Sequence, residues 1–362
     1  MKIITVIGTR PEIIRCSEII KKLDKVCDHI LVDTNQNDDD NLSGIFYREL
    51  GLREPDYKIG TDTKSVGHQI GSNFVAIEKI IEKEKPDKAF CPCDTNTSLV
   101  AFIFERCNIP VYHLEAGNRC FDRTIAEETN RRAIDAISSY NLPYTKYSKE
   151  NLVKEGIPKN KIFVTGNPMY EIIKKYDSNI KLSTVMRDYR LLSKHFILVT
   201  CHRQETVDYE YRFKRVVDAL NEISKEYKII YPMHPRAKQK FEKFGLSFSD
   251  NIIVTEPLGL FDLINLEVNA TMIMTDSGTI QEEGCIVGTP SIILRMVTER
   301  PETIECGSNI VGGVKTQEII GAFKYMKTRL DFKWVIPEEY MWDDVSNRVV
   351  GFLMSKQYED TK

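Results

Sequence analysis

The sequence predicts an α/β protein of two Rossmann-like domains, each a doubly wound parallel sheet, facing a cleft. Three observations predict it. Short β-branched runs alternate with longer segments of helical period. That rhythm stops and restarts once, near the middle of the chain. Polar, reactive residues follow the apolar runs directly, at the strand ends where α/β folds bind ligands. A chain of 362 residues is also long for one core, which favours two domains of ordinary size.

In the first half, KIITVI leads into a helical segment over 11–23, followed by HILVDT, helices over 41–50 and 66–84, and KAFCPC. A helix over 95–107, the strand PVYHLEA, a helix around 127–137 and the strand KIFVTG complete the first series. The second series runs FILVTC, helix 209–226, KIIYPM, helix 235–244, NIIVTEP, helix 260–267, TMIMTD, helix 279–286 and PSIILR. The boundary falls just after Gly166, which gives domains over 1–167 and 168–342.

Composition narrows the function. Apolar residues make up 42% and charged residues 28%, an ordinary mixture that predicts order nearly throughout. The net charge of −3, with both signs interspersed, gives no basic field to draw nucleic acid or an anionic membrane. An anionic substrate must then be held by a few local cations. Nine cysteines, an odd number scattered through apolar segments, read as reduced cytosolic thiols and not as a disulfide framework. Cys91-Pro92-Cys93 has no second Cys/His pair at zinc-finger spacing, and the acidic loop Asp38-Asp39-Asp40-Asn41 lacks the rest of an EF-hand, so no metal is expected. The opening MKIITVIGTRPE has no export signal, and no apolar run reaches the roughly 18 to 20 residues that span a bilayer. The expectation is a cytoplasmic protein.

Six polar tails follow apolar runs: Gly8-Thr9-Arg10, Asp94-Thr95, Glu115-Ala116-Gly117, His202-Arg203, His234-Pro235 and Asp276-Ser277-Gly278. Asp276-Ser277-Gly278-Thr279 stands where a strand gives way to a helix, with small residues that let backbone N–H groups approach an anion. It reads as a diphosphate cradle, and Glu282 or Glu283 on the same helix is placed to take the hydroxyls of a ribose. A helix N-cap with an acidic first turn is the plainer reading of the same residues. The turn Gly8-Thr9-Arg10-Pro11-Glu12 is not G-x-G-x-x-G, so no dinucleotide cofactor is expected. Pro11 suits the first helical position. Arg10, Arg15 and Arg300 are candidate phosphate cations, although an arginine alone is more often a surface ion pair. His202 is an acid or phosphate donor, or a satisfied structural histidine. Asp94 and Glu115 end parallel strands and Glu127 opens a helix beside them, so three carboxylates can converge for acid–base work; helix capping is the alternative.

Taken together, these residues resemble the non-hydrolysing UDP-N-acetylglucosamine 2-epimerase family. Gly8-Thr9-Arg10-Pro11-Glu12, Asp94-Thr95-Asn96-Thr97, His113-Leu114-Glu115-Ala116-Gly117, Glu127-Glu128-Thr129-Asn130-Arg131 and Thr165-Gly166-Asn167 carry the resemblance in the first half. His202-Arg203, Asp276-Ser277-Gly278 with Gln281-Glu282-Glu283, and Thr298-Glu299-Arg300-Pro301-Glu302 continue it in family order. The resemblance implies the two-domain GT-B arrangement, with a last helix in 343–362 returning to the N-terminal domain. It implies a cofactor-free reaction on a UDP-sugar substrate that supplies surface polysaccharide, and a homodimer is expected. UDP leaves C1 as the C2 proton is removed, a 2-acetamidoglycal forms, and UDP returns with a proton on the other face. Asp94, Glu115 and Glu127 match the acid/base carboxylates; Arg10, His202, Ser277, Gly278, Thr279, Glu283 and Arg300 match the UDP-sugar contacts.

Several positions depart from the family pattern. Arg15 stands for the usual lysine, which keeps the charge and changes its geometry. Thr279 stands for a second glycine and Ala126 for the proline before Glu127. Gly117-Asn118-Arg119-Cys120-Phe121-Asp122 replaces the Gly-Leu-Arg common in members acting on UDP-N-acetylglucosamine. It is similar to the branch that makes UDP-N-acetyl-L-fucosamine from its talose-configured 2-epimer. Thr34-Asn35-Gln36-Asn37 departs from the Gln-His-Arg stretch near which some bacterial members bind a second, activating UDP-sugar. The rivals are a GT-B glycosyltransferase, a hydrolysing epimerase releasing free ManNAc, and a catalytically dead sugar-nucleotide sensor.

Overall fold

The computed structural model describes residues 1–34, 44–62 and 64–356. The acidic loop at 38–41, Asn35-Gln36-Asn37 and the start of the 41–50 helix lie outside them. The chain divides into two compact units, Met1–Ile172 with Trp342–Lys362, and Ile173–Met341.

The first unit is a six-stranded parallel sheet: β1 (Lys2–Ile7), β2 (Asp28–Asp33), β3 (Tyr57–Lys58), β4 (Lys88–Pro92), β5 (Val111–Leu114) and β6 (Tyr140–Leu142), in the order β3-β2-β1-β4-β5-β6. The second repeats that plan with β7 (Phe196–Thr200), β8 (Lys228–Pro232), β9 (Ile252–Thr255), β10 (Met272–Thr275), β11 (Ser291–Ile293) and β12 (Asn309–Val311), in the order β12-β11-β10-β7-β8-β9. Central strands such as FILVT are buried along their whole length, because helices cover both faces of a parallel sheet. In each unit the order reverses at one place, between β1 and β4 and between β7 and β10. Ligands of such sheets bind there, outside the strand carboxyl ends. Two doubly wound units of this kind are the GT-B class that the sequence predicts.

The C-terminal helix Val345–Met354 belongs to the first unit and packs on the helix Arg10–Val26, burying Val345, Val349 and Leu353. Phe352 stacks on Phe163 at 4.5 Å, and the buried Lys88 ammonium donates to the carbonyls of Leu353 at 3.0 Å and Ser355 at 2.9 Å. Among the described residues no helix is long and apolar enough to cross a membrane.

One expected strand is corrected. KIFVTG forms no strand; only Ile162 bridges to Asn141, and the sheet ends in β6, which the sequence reading missed. Phe163 N donates to Asn141 O at 2.9 Å and Thr165 N to Pro143 O at 3.0 Å. Pro143 has no N–H to return, so the ladder cannot be completed.

Candidate functional site

In the N-terminal unit, the turns after β1 and β4 flank the reversal point and are tied together by Glu12. This fully buried side chain accepts from Gly8 N at 2.7 Å, Thr9 N at 2.8 Å and Thr95 Oγ1 at 2.6 Å. Burial pushes its carboxyl up to about 7, against the pull of those bonds. Asp94, just past β4, is partly exposed and pairs through Oδ2 with Arg131 Nε at 2.8 Å. Asn130 Nδ2 donates to the Asp94 carbonyl at 3.0 Å, so helix Ala126–Ile137 fixes both its backbone and its carboxylate.

Glu115 follows β5 on the neighbouring strand and is buried with φ of +72°, a left-handed conformation rare for a side chain with a Cβ. Its Oε2 takes the Arg15 guanidinium, which also lies 5.6 Å from the Tyr144 ring. The structure thus joins two candidates a hundred residues apart. The strained turn is held from outside: Asp135 Oδ2 accepts from Gly117 N at 3.1 Å, and Asn151 Nδ2 donates to Gly117 O at 3.0 Å. Gly117, at φ +82°, leaves no room for a side chain, since a Cβ would meet the Ser148 carbonyl oxygen at 2.2 Å.

Glu127 is half-buried in the first turn of helix Ala126–Ile137. Its neighbour Glu128 is fully buried and accepts from Cys120 N and Arg131 Nη1, each at 3.0 Å. Arg10, also half-buried, begins helix Arg10–Val26 with its guanidinium 5.7 Å from the Phe46 ring.

In the C-terminal unit, the turns after β7 and β10 flank the second reversal point, and Asp276 joins them. This buried carboxylate accepts from His202 N at 2.7 Å and Arg203 N at 2.8 Å through Oδ2, and its Oδ1 lies 3.5 Å from His202 Nδ1. The His202 ring stacks on His234 at 5.4 Å, about a third exposed.

Ser277 is the N-cap of helix Gly278–Val287, yet its side chain makes no capping bond. The Ser277 hydroxyl thus leaves the first-turn N–H groups to other acceptors, and a helix N-terminus favours an anion. Thr279 and Glu283 lie buried in that helix, and Glu282 pairs with Arg300 Nε. Glu299 completes a charge cluster, 2.8 Å from Arg295 Nη1 and 3.6 Å from Arg203 Nη2. Gly278 lies against this cluster: a Cβ on it would stand 2.6 Å from Glu299 Oε1.

Sequence reasoning did not single out Glu12, Arg131 or Arg295 as site residues, and it read Asp276 only as part of the diphosphate cradle, not as the acceptor for the His202 and Arg203 amides. Arg295 carried the signal used elsewhere, a polar residue directly after the apolar run PSIIL; the other three act through bonds that only the fold reveals. Among the described residues no group of three or more His, Cys, Asp or Glu side chains is arranged to hold a metal ion.

Comparison with known proteins fits this geometry. The family profile described as UDP-N-acetylglucosamine 2-epimerase matches residues 21–354. The UDP-N-acetylglucosamine 2-epimerase of Methanocaldococcus jannaschii is 40% identical over 340 residues, covering 90% of this chain and 92% of its own length. A crystal structure of the M. jannaschii UDP-GlcNAc 2-epimerase in complex with UDP-GlcNAc and UDP superposes with a TM-score of 0.92 at 38% identity, covering 98% and 99% of the two chains. The UDP-2,3-diacetamido-2,3-dideoxy-D-glucuronate 2-epimerase of Pseudomonas aeruginosa is 33% identical, covering 88% of this chain and 90% of its own. With the family's motifs standing at both reversal points and the match running nearly end to end, the chain belongs to the UDP-N-acetylglucosamine 2-epimerase family.

Proposed function

We propose that this chain is a non-hydrolysing 2-epimerase that inverts C2 of a UDP-2-acetamido sugar by elimination and re-addition of UDP. One observation carries the reading. The reversal point of the N-terminal unit bears carboxylates held by arginines, while that of the C-terminal unit bears a helix N-terminus without a side-chain cap beside Arg203, Arg295 and Arg300. A base takes the C2 proton, the C1–O bond breaks with its electron pair leaving on UDP, and a C1=C2 double bond forms. UDP oxygen then rejoins C1 while an acid delivers a proton to the opposite face of C2. Two faces need two acid/base groups, and the departing diphosphate needs cations and N–H donors.

Asp94, Glu115 and Glu127 are assigned to the proton. Arg10, His202, Ser277, Gly278, Thr279, Glu283 and Arg300 are assigned to the UDP-sugar, with Arg15 setting the charge beside Glu115. The scheme needs no metal or redox cofactor, since hydrogen returns to the carbon it left. The names of the relatives favour UDP-GlcNAc and UDP-ManNAc as the pair. The segment Gly117-Asn118-Arg119-Cys120-Phe121-Asp122 favours a second reading, UDP-2-acetamido-2,6-dideoxy-L-talose and UDP-L-FucNAc. A homodimer is supported by exposed apolar Val75 and Phe102, the latter stacked on Phe74 at 6.2 Å. A cytoplasmic setting is supported by nine free cysteines.

Incubation in heavy water with each UDP-sugar tests the reading, since the true substrate gains deuterium at C2. Asp94→Asn, Glu115→Gln and Glu127→Gln should each lower turnover at least 10²-fold, the order typical of general acid–base catalysis, with UDP binding nearly intact. Wild-type exchange in all three variants would make these carboxylates structural caps.

A further inference from the structure

Glu115 is held by a residue to which the reaction scheme gives no part. Asn118 is 3% exposed; its Nδ2 donates to Glu115 Oε1 at 3.3 Å, and its Oδ1 accepts from Ser148 Oγ at 2.7 Å. Its backbone is fixed as well, because Arg119 Nη1 donates to the Asn118 carbonyl at 2.7 Å while Arg119 Nη2 sits 2.7 Å from Asp135. The Ser148 hydroxyl lies 3.3 Å from Thr145 Oγ1 at the start of helix Lys146–Lys154. A line of contacts thus runs from that helix through Ser148 and Asn118 to the carboxylate.

We propose that Asn118 is a positioning residue for Glu115, its amide oriented by the Ser148 hydroxyl so that it can serve both protonation states of that carboxyl. The proposal rests on the reading of Glu115 as an acid/base group. An ionised carboxylate needs a donor opposite it, and a protonated one needs an acceptor. A primary amide offers either after half a turn, and a serine hydroxyl can donate to the amide oxygen or accept from the amide nitrogen, so both partners adjust together. Leucine at this place offers neither partner, and aspartate sets a second negative charge against the first. The other groups facing Glu115 are Arg15 and the Cys16 thiol from helix Arg10–Val26, the Cys93 thiol after β4, and the Tyr144 hydroxyl at 3.5 Å.

The test is steady-state kinetics across pH on Asn118→Leu, Asn118→Asp and Ser148→Ala, together with C2 proton exchange and a UDP titration to show that each variant is folded. Asn118→Leu should lower kcat about tenfold, the loss of one hydrogen bond, with KM within about twofold. Asn118→Asp should move the acid limb of the kcat profile up by about one pH unit, because two neighbouring carboxylates resist ionising together. Ser148→Ala, the mildest change, should lower kcat by less than Asn118→Leu and again spare KM. The proposal fails if the Asn118 variants keep wild-type kcat and pH profile while Glu115→Gln is inactive. It also fails if all three variants lose UDP binding and KM together with an unshifted profile, since that marks a purely structural role. Full activity in Glu115→Gln would overturn the underlying reading, and the proposal with it.

Discussion

Replacing Gly278 with alanine should weaken both stability and UDP binding. The added Cβ would stand 2.6 Å from Glu299 Oε1, roughly 0.8 Å inside ordinary carbon–oxygen contact. A carboxylate at the end of a flexible side chain normally yields cheaply, but Glu299 is buried, and its other oxygen sits 2.8 Å from the buried Arg295. Retreat therefore strains a desolvated ion pair, and overpacking of this kind costs about 1–3 kcal/mol. The better helix propensity of alanine returns up to about 1 kcal/mol of that. Arg300 Nη2 lies 3.8 Å from the same Cβ, so the added methyl crowds a proposed diphosphate cation as well, and the Kd for UDP should rise about ten- to a hundredfold. Gly321 in helix Thr316–Lys327 is the control: it is exposed, nothing lies within 4 Å of its Cβ position, and alanine there should stabilise by about 0.5–1 kcal/mol. Urea denaturation followed by circular dichroism, with calorimetric UDP titration, measures both. If Gly278→Ala is as stable as Gly321→Ala and binds UDP at wild-type affinity, the crowded cluster is not what requires the glycine.

Lys88→Met keeps the buried stem but removes the donor to Leu353 O and Ser355 O; losing these charged bonds should cost about 1.5–3 kcal/mol. Hydrogen exchange should show the loss first in Val345–Met354. Asp276→Asn weakens two charge-assisted bonds to the His202 and Arg203 amides and should lower stability by about 1–2 kcal/mol, read by urea midpoint. Burial pushes the Glu302 carboxyl up to about 7, opposed by Arg300 and by the Tyr340 hydroxyl at 2.7 Å. Folding then takes up a proton, so this contribution is full below the unfolded value near 4.5 and is lost as pH rises through about 7. Urea midpoints at pH 5 and pH 8 should show a shallower fall for Glu302→Gln than for wild type, and equal falls would refute the assignment.

The fold class was legible because parallel strands buried on both faces read as unbroken apolar runs, and most of those runs became strands. The failures were at the edges. KIFVTG looked like a strand because its residues suit one, but pairing depends on its neighbour, and Pro143 withholds the N–H the ladder needs. The two-residue β3 and three-residue β12 are too short to show a period at all. At the candidate site, residue type and position relative to a strand end were readable, whereas partnership was not. Nothing in the sequence couples Arg15 to Glu115, or Arg131 to Asp94; those pairs exist because separate crossovers deliver the residues to one edge of the sheet. The uncapped side chain of Ser277 was equally hidden, since a capping serine and an idle one are spelled alike.

The two units solve one positional problem in the same way. Each reversal point has two turns, one from each flanking strand, and in each a buried carboxylate clasps consecutive backbone amides of the turn after the unit's first strand. Glu12 accepts from Gly8 N and Thr9 N and reaches across to Thr95; Asp276 accepts from His202 N and Arg203 N from its own place after β10. Such bonds are strong because the acceptor is held out of water, and each fixes backbone, leaving side chains to vary. The residues that differ between the units are the ones projecting from the clasped turns: Arg10 and Asp94 in one, His202 and Ser277 in the other. Chemistry at these two points can therefore change by substitution without loss of geometry. By the same reasoning, losing either clasp should displace every group on its pair of turns at once.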